Sequence, residues 1–387
     1  MFGYGFLSVI LVLYLAETGL GETRIGLLLT LTLVGDTLLS LWLTTRADRF
    51  GRRRTLVIGA LLMTIAGVLF ATTRDFTLLL LAATVGVISP SGNEVGPFLP
   101  IEQSALAQTV PNDRRTHLFA WYNLAGSFGT AVGALAAGVL TRILAANGYE
   151  TITSYRIVIL GYATIGILLA TLFTLLTPAV ETRVVAHDRG RASTLGLNRS
   201  RSVVARLSAL FALDAFAGGF VIQSLVAYWF HVRFGADPGL LGALFFAANI
   251  LAGVSALCAA RVAHRIGLVN TMVFTHLPSN VLLVLVPLMP NLGLAIALLL
   301  ARFAISQMDV PTRQSYVMAV VDPEERSAAA GITGVARTVG ASIAPVIAGP
   351  MLASAALASL PFFVAGGLKI IYDLVLWRSF RALPPRQ

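Results

Sequence analysis

Long apolar runs separated by short polar breaks dominate the chain and set its predicted elements. The runs fall near 2–16, 23–45, 55–72, 76–109, 116–144 and 154–178, then near 206–231, 238–262, 267–290, 292–320, 327–353 and 356–378. Runs of about 20 residues are long enough for a helix to cross roughly 30 Å of hydrocarbon. Apolar positions within them are continuous rather than alternating over about ten residues, which excludes a barrel of membrane-spanning strands. The pattern predicts an all-α membrane protein with twelve transmembrane helices.

Composition agrees with the pattern. Of 387 residues 57% are hydrophobic and only 12% charged, with mean hydropathy +0.82. A water-soluble domain carries about 25% charged residues, so this chain cannot coat a soluble globule. The net charge of +10 does not point to nucleic acid, because the basic residues sit between the apolar runs. Nineteen of the 28 fall on one side of the predicted spans and five on the other, with Arg302, Arg313, Arg337 and Lys369 inside spans. The richer side reads as cytoplasmic, so both termini are expected inside. The lone Cys258 rules out an internal disulfide and a cysteine-rich metal site. No histidine or cysteine stands at ligand spacing, so neither metal nor cofactor is expected. The absence of a nucleotide loop, a nucleophile signature or a soluble domain argues against an enzyme. The chain opens directly into MFGYGFLSVILVLYLA with no cleavable signal, and the short first run suggests missing upstream residues or a late start.

The halves resemble each other weakly. A shift of 216 pairs Gly3 with Gly219, Ser8 with Ser224, Gly19 with Gly235, Gly26 with Gly242, Arg49 with Arg265 and Gly51 with Gly267. A shift of 211 aligns Pro100, Gln103, Ser104, Val110 and Arg115 with Pro311, Gln314, Ser315, Val321 and Arg326. Such repeats build many transporters. They predict an N-terminal six-helix bundle over 1–178, a cytoplasmic linker over 179–205 and a C-terminal six-helix bundle over 206–387, the bundles pseudo-symmetric.

Between the second and third runs stands TTRADRFGRRRTL (44–56), with Asp48, Arg49, Gly51, Arg52 and Arg53 at its core. This resembles the loop signature of the major facilitator superfamily, although Thr44 and Arg46 replace its usual glycine and apolar residue. In the second half it decays to RVAHRIG (261–267). The resemblance implies the twelve-helix fold of that superfamily, with Asp48 near Arg326 or Arg337, holding one conformation. Gly331, Gly340, Ala344, Pro345, Ala348 and Gly349, with Gly129, Gly133, Ala137 and Gly138 in the matching run, resemble a degenerate form of the glycine-rich motif of its exporters. Small residues at these spacings let helices approach across the interface of the halves. The implied function is secondary active transport of a small organic molecule by alternating access, of the drug or metabolite efflux type and proton-coupled. The alternative is a facilitator or proton symporter importing a nutrient or organic anion. The implied setting is the bacterial inner membrane, as a monomer whose partners are substrate, protons and lipid.

Charged groups at bilayer depth cost roughly 2.5–3.5 kcal/mol each and are functional candidates by default. Here they are Asp36, Glu94, Glu102, Asp214, Arg302, Asp309, Arg313, Arg337, Lys369 and Asp373, with titratable His276. The run SPSGNEVGPFLPIEQS (89–104) packs three prolines and two glycines into the fourth span, so its hydrogen-bond ladder must break. Glu94 at its middle leads the proton-coupling candidates, followed by Asp36 and Asp214. Under the 211 shift Glu102 takes the place of Arg313, which suggests an ion pair that closes the inner mouth and parts when it opens. Asp309 and Arg337 join them as gate candidates. Asn93, Gln223, Tyr228, Asn249, His276, Asn280 and Gln307 are expected to line a cavity.

Overall fold

In hydrocarbon the backbone finds no water, so long apolar runs satisfy their own hydrogen bonds as helices. The computed structural model describes residues 1–92, 98–109, 112–181 and 199–381, and no strand occurs among them. Ten helical stretches there are long and apolar enough to cross a bilayer. Two shorter apolar stretches, Phe2–Glu17 and Phe76–Val85, stand where the first and fourth spans were expected. Large apolar side chains such as Leu38, Trp42, Ile65, Leu81, Ile167 and Leu374 are exposed, as lipid-facing side chains would be.

The first half runs α1 (Phe2–Ser8), α2 (Leu11–Glu17), α3 (Glu22–Phe50), α4 (Arg52–Thr72), α5 (Phe76–Val85), α6 (Phe98–Thr109), α7 (Asn112–Ala146) and α8 (Thr151–Thr174). The second runs α9 (Arg201–Gly219), α10 (Gln223–Phe234), α11 (Pro238–Ile266), α12 (Leu268–Leu285), α13 (Leu292–Ser306), α14 (Asp309–Val320), α15 (Arg326–Leu352) and α16 (Leu360–Phe380). The expected break in the fourth span separates α5 from α6. Three further spans, read from sequence as continuous, are also interrupted, between α1 and α2, α9 and α10, and α13 and α14. These four interruptions recur at matching places in the two halves.

Residues paired by the 216 shift behave alike. Gly19 and Gly235 both take positive φ, at 89° and 65°, and so do Gly51 and Gly267, at 94° and 87°. A side chain is strained at such angles, and each of these glycines ends a helix.

By contact the chain forms two units. One comprises 1–184 with 222–249, the other 185–221 with 250–387. Residues 222–249 therefore pack with the first half of the sequence. In the first unit α4 packs along α8 and α1 along α7. A Cβ on Gly133 would strike the carbonyl oxygen of Phe2, so that crossing requires glycine. In the second unit α9 packs along α15, where Gly340 lies against the Ala212 carbonyl in the same way. Gly133 and Gly340 thus serve crossings inside their own units. Gly138 instead faces the start of α11, where an added Cβ would lie 2.6 Å from the Pro238 oxygen. Gly331 has nothing within 4 Å.

Candidate functional site

Three helix interruptions meet in the first unit. Ser8 ends α1, Pro90 lies beyond α5, and Gln223 and Ser224 open α10. Gln223 donates to Ser8 Oγ at 2.8 Å, and the Ser224 backbone N–H and hydroxyl both donate to the Pro90 carbonyl, at 3.1 and 2.6 Å. Asn249 of α11 donates to Gln223 Oε1 at 3.3 Å, and Tyr228 of α10 to Glu22 of α3 at 2.7 Å. Interrupted helices expose backbone carbonyls that need partners, and Ser224 supplies one for Pro90. Gln223, Tyr228 and Asn249 were expected at a cavity; the structure gathers them with Ser8, Pro90 and Glu22. The sequence signal for Ser8 was its repeat mate, Ser224, which stands at the same junction. Further along, Arg142 and Asp237 make an exposed ion pair at 3.2 Å.

A denser polar centre lies in the second unit. Arg313 of α14 reaches Asp214 of α9 at 3.0 Å and Asp309, four residues before it, at 3.3 Å. Lys369 of α16 approaches the other Asp214 oxygen at 2.5 Å. His276 of α12 lies between two carboxylates, with Nδ1 2.9 Å from Asp373 Oδ1 and Nε2 3.8 Å from Asp214 Oδ1. Asn280, one turn on, donates to Asp373 Oδ2 at 2.9 Å. All seven side chains are buried, Asp373 and Asn280 at 0% exposure. The Phe211 ring sits 5.3 Å from the Arg313 guanidinium, and the Tyr372 ring meets His276 edge-on. Arg302 and Arg337 stand within electrostatic reach of Asp214 and Asp309, and the Nε of each is buried with no hydrogen-bond partner.

The remaining sequence candidates scatter. Glu94 and Asn93 lie outside the described residues, as do the side chains of Asp48 and Arg49. Asp36 is half-buried in α3 and accepts from Ser40 at 3.3 Å. Glu102 accepts a 2.6 Å hydrogen bond from Tyr122. Gln307 sits between α13 and α14, beside Ser306. In the loop motif Gly51 makes the turn, and Glu181 accepts from the backbone N–H groups of Arg52 at 2.7 Å and Arg53 at 3.2 Å. The carboxylate thereby caps the positive start of α4, while the Arg52 guanidinium donates to Ser104 at 2.8 Å. In the second unit Glu325 likewise accepts from the backbone of Arg199 and Ser200, at 2.8 and 2.9 Å, just before α9. Sequence reading missed both caps because each partner is distant along the chain.

No group of His, Cys, Asp and Glu among the described residues is arranged to hold a metal ion. The chain is 30% identical over 406 residues to the uncharacterized membrane protein YJR124C of Saccharomyces cerevisiae, covering 97% of this chain and 90% of that one. It is 23% identical over 141 residues to the quinolone resistance protein NorA of Staphylococcus aureus, covering 36% of this chain and 35% of that one. Among solved structures, the inward-facing, occupied bacterial homolog of the human lysosomal transporter Spinster matches with TM-score 0.76 at 14% identity, covering 99% of this chain and 94% of that one. A D-xylose-proton symporter matches with TM-score 0.73 at 15% identity, covering 97% and 94%. The Major Facilitator Superfamily pattern itself matches residues 1–345. An all-helical chain with interrupted spans and a buried charge centre, matched over that length, belongs to the Major Facilitator Superfamily and is a membrane transporter of a small substrate.

Proposed function

We propose that the protein is a proton-coupled exporter of a small organic molecule, working by alternating access in the bacterial inner membrane as a monomer. Two six-helix bundles, 1–178 and 206–387, flank a cytoplasmic linker over 179–205, with both termini inside. The observation that carries this reading is the buried acid–base centre of Asp214, His276, Asp309, Arg313, Lys369 and Asp373. Ionised groups at bilayer depth are costly, and titratable ones there serve ion or proton transfer. Asp214, Glu94 and Asp36 remain the carboxylates to test for coupling. The likeness to the quinolone resistance protein over 141 residues supports export, as does the glycine pattern of α7 and α15.

Alternating access requires contacts that exist in one state and not in the other. The bonds that join Ser8, Pro90 and Glu22 to Gln223, Ser224 and Tyr228 are of the kind that would part when the substrate path changes sides. Glu102 and Arg313 are the pair proposed to meet at the inner mouth. A second reading, import of an organic anion, draws on Arg302 and Arg337, whose Nε atoms lack partners.

Everted membrane vesicles distinguish the two. With an imposed proton gradient and a fluorescent quinolone as probe, export predicts accumulation inside everted vesicles that collapses when the gradient is dissipated. No accumulation, or gradient-driven uptake only by right-side-out vesicles, overturns the export reading.

A further inference from the structure

The three buried carboxylates of this polar centre differ in their partners. Asp214 has Arg313 and Lys369, and Asp309 has Arg313. Asp373, at 0% exposure, is reached by no arginine or lysine among the described residues; only His276 and Asn280 bond to it. A buried carboxylate without a cation is strongly disfavoured, and Asn280 is neutral. A proton shared with His276, on either partner, therefore balances Asp373.

The placement of the imidazole sharpens this. Its two nitrogens face two different carboxylates, Nδ1 toward Asp373 at 2.9 Å and Nε2 toward Asp214 at 3.8 Å. A neutral imidazole carries one N–H. Either tautomer then leaves a bare nitrogen lone pair opposite one of the carboxylates. Where that nitrogen is Nδ1, the Asn280 amide 3.2 Å away can donate to it, but the Asp373 oxygen at 2.9 Å still faces the lone pair. A second proton on the pair removes the conflict: each nitrogen then faces its carboxylate across a proton. It also sets the three bonded carboxylates against three bonded cations, Arg313, Lys369 and the imidazolium.

The other charges facing the pair oppose that proton. Lys369 shares α16 with Asp373, and Arg313 with Asp309 projects from α14. Arg302 of α13 and Arg337 of α15 lie within electrostatic reach of Asp214 and Asp309. Tyr372 packs its ring against His276 at 6.0 Å between centroids. The carboxylates favour the second proton and the four cations disfavour it.

We propose that His276 and Asp373 together hold one exchangeable proton within the membrane, and that this pair is a proton-carrying site of the transporter beside the carboxylates named above. The assignment rests on the proton-coupled reading above. Its effect passes through Asp214. Loss of the proton leaves a bare nitrogen toward either Asp214 or Asp373, which alters the hold of Lys369 and Arg313 on Asp214. Those bonds tie α9 to α16 and to α14, so proton occupancy sets how firmly the inner part of the seventh span is anchored.

The test uses the full-length protein in lipid nanodiscs with ¹⁵N-labelled histidine. The chain has five histidines, and His276→Asn identifies the resonance of interest. The expected result is a change of His276 between doubly and singly protonated forms with pH, its proton affinity falling at least tenfold in Asp373→Asn. A His276 that keeps one protonation state throughout, or titrates identically in Asp373→Asn, overturns the assignment. The second arm is quinolone accumulation in everted vesicles. His276→Arg, a permanent cation, should lose gradient-driven accumulation at least tenfold while keeping exchange of labelled for unlabelled quinolone without a gradient, which also certifies folding. Gradient-driven transport unchanged in His276→Arg overturns the present assignment alone. Absence of gradient-driven transport in the wild type overturns the coupled reading and the coupling role with it.

Discussion

Arg313 illustrates what a single side chain does when buried among opposite charges. It serves two carboxylates at once, Asp214 and Asp309, but Asp214 also has Lys369. Removing Arg313 therefore orphans Asp309 first. Breaking one side of a buried pair costs about 3–5 kcal/mol, whereas removing both sides costs far less. Arg313→Gln should lower unfolding stability by about that amount, and Asp309→Asn added to it should recover at least half, measured as a double-mutant cycle. A purely additive pair of losses would contradict the pairing. The Asp309–Arg313 spacing of four places both on one helix face, yet the sequence reading paired Arg313 with Glu102 instead. The partners Asp214 and Lys369 were not legible, because hydropathy gives a residue's depth but not the direction it faces. For the same reason the repeat matched Glu102 with Arg313 without revealing that Tyr122 bonds to one and Asp214 to the other. Asp237, outside the spans, behaves differently. Burial would raise its pKa, but the Leu240 backbone N–H and the Arg142 guanidinium outweigh this and hold it below the usual carboxylate value. A depressed folded-state value adds stability above the unfolded pKa of about 4 and loses it as pH falls through the folded value. Both partners are well exposed, so the contribution is below about 1 kcal/mol and weakens with salt. The difference in unfolding midpoint between wild type and Asp237→Asn should shrink as pH drops below about 4.

At the scale of elements, three of the four interrupted spans are the main departure from the sequence reading. The fourth was expected to break because proline and glycine cannot sustain a helix there. The first breaks at Val9 and Ile10, which carry no such mark, and the tenth at Gln307 and Met308, with Pro311 only in the next turn. Tertiary bonds flank the first of these places. Ser8 accepts from Gln223, and Tyr14, just past the first break, bonds to the Phe70 carbonyl. The crossing of α7 with α11 is equally tertiary. A Cβ on Gly242 would lie 2.6 Å from the Ala134 oxygen and 2.9 Å from the Gly138 Cα. Gly242→Leu should push α11 from α7 and loosen the bonds that α10 makes at the helix interruptions. With Cys258 replaced by serine, a cysteine at Ser224, fully buried in the wild type, reports the change. Its labelling by a membrane-impermeant maleimide should rise at least tenfold in Gly242→Leu. Equal labelling in both backgrounds would show that the crossing does not hold this end.

For the molecule as a whole, the repeat and the apolar runs were legible while the grouping of the runs by contact was not. Hydropathy treats 222–249 as part of the second half, yet these residues belong by contact to the first unit. The reason lies in particular residues. Gln223, Ser224 and Tyr228 bond to Ser8, Pro90 and Glu22, and Gly242 seats against Gly138. Such bonds tie neither half's fate to itself. If 1–190 and 191–387 are made as separate chains, the first lacks the segment that satisfies its interrupted helices, and the second carries that segment unpartnered. Unpaired polar backbone is costly in lipid, so each half alone should be degraded in the cell, and the two together should accumulate and copurify in detergent. The caps at each end of the cut remain intact, since Glu181 binds the start of α4 and Glu325 binds Arg199 and Ser200 within their own units. Copurification should therefore depend on 222–249 rather than on the severed link, and Gly242→Leu in the second fragment should reduce it severalfold. Full stability of either fragment alone would mean that these contacts contribute little to holding the chain together.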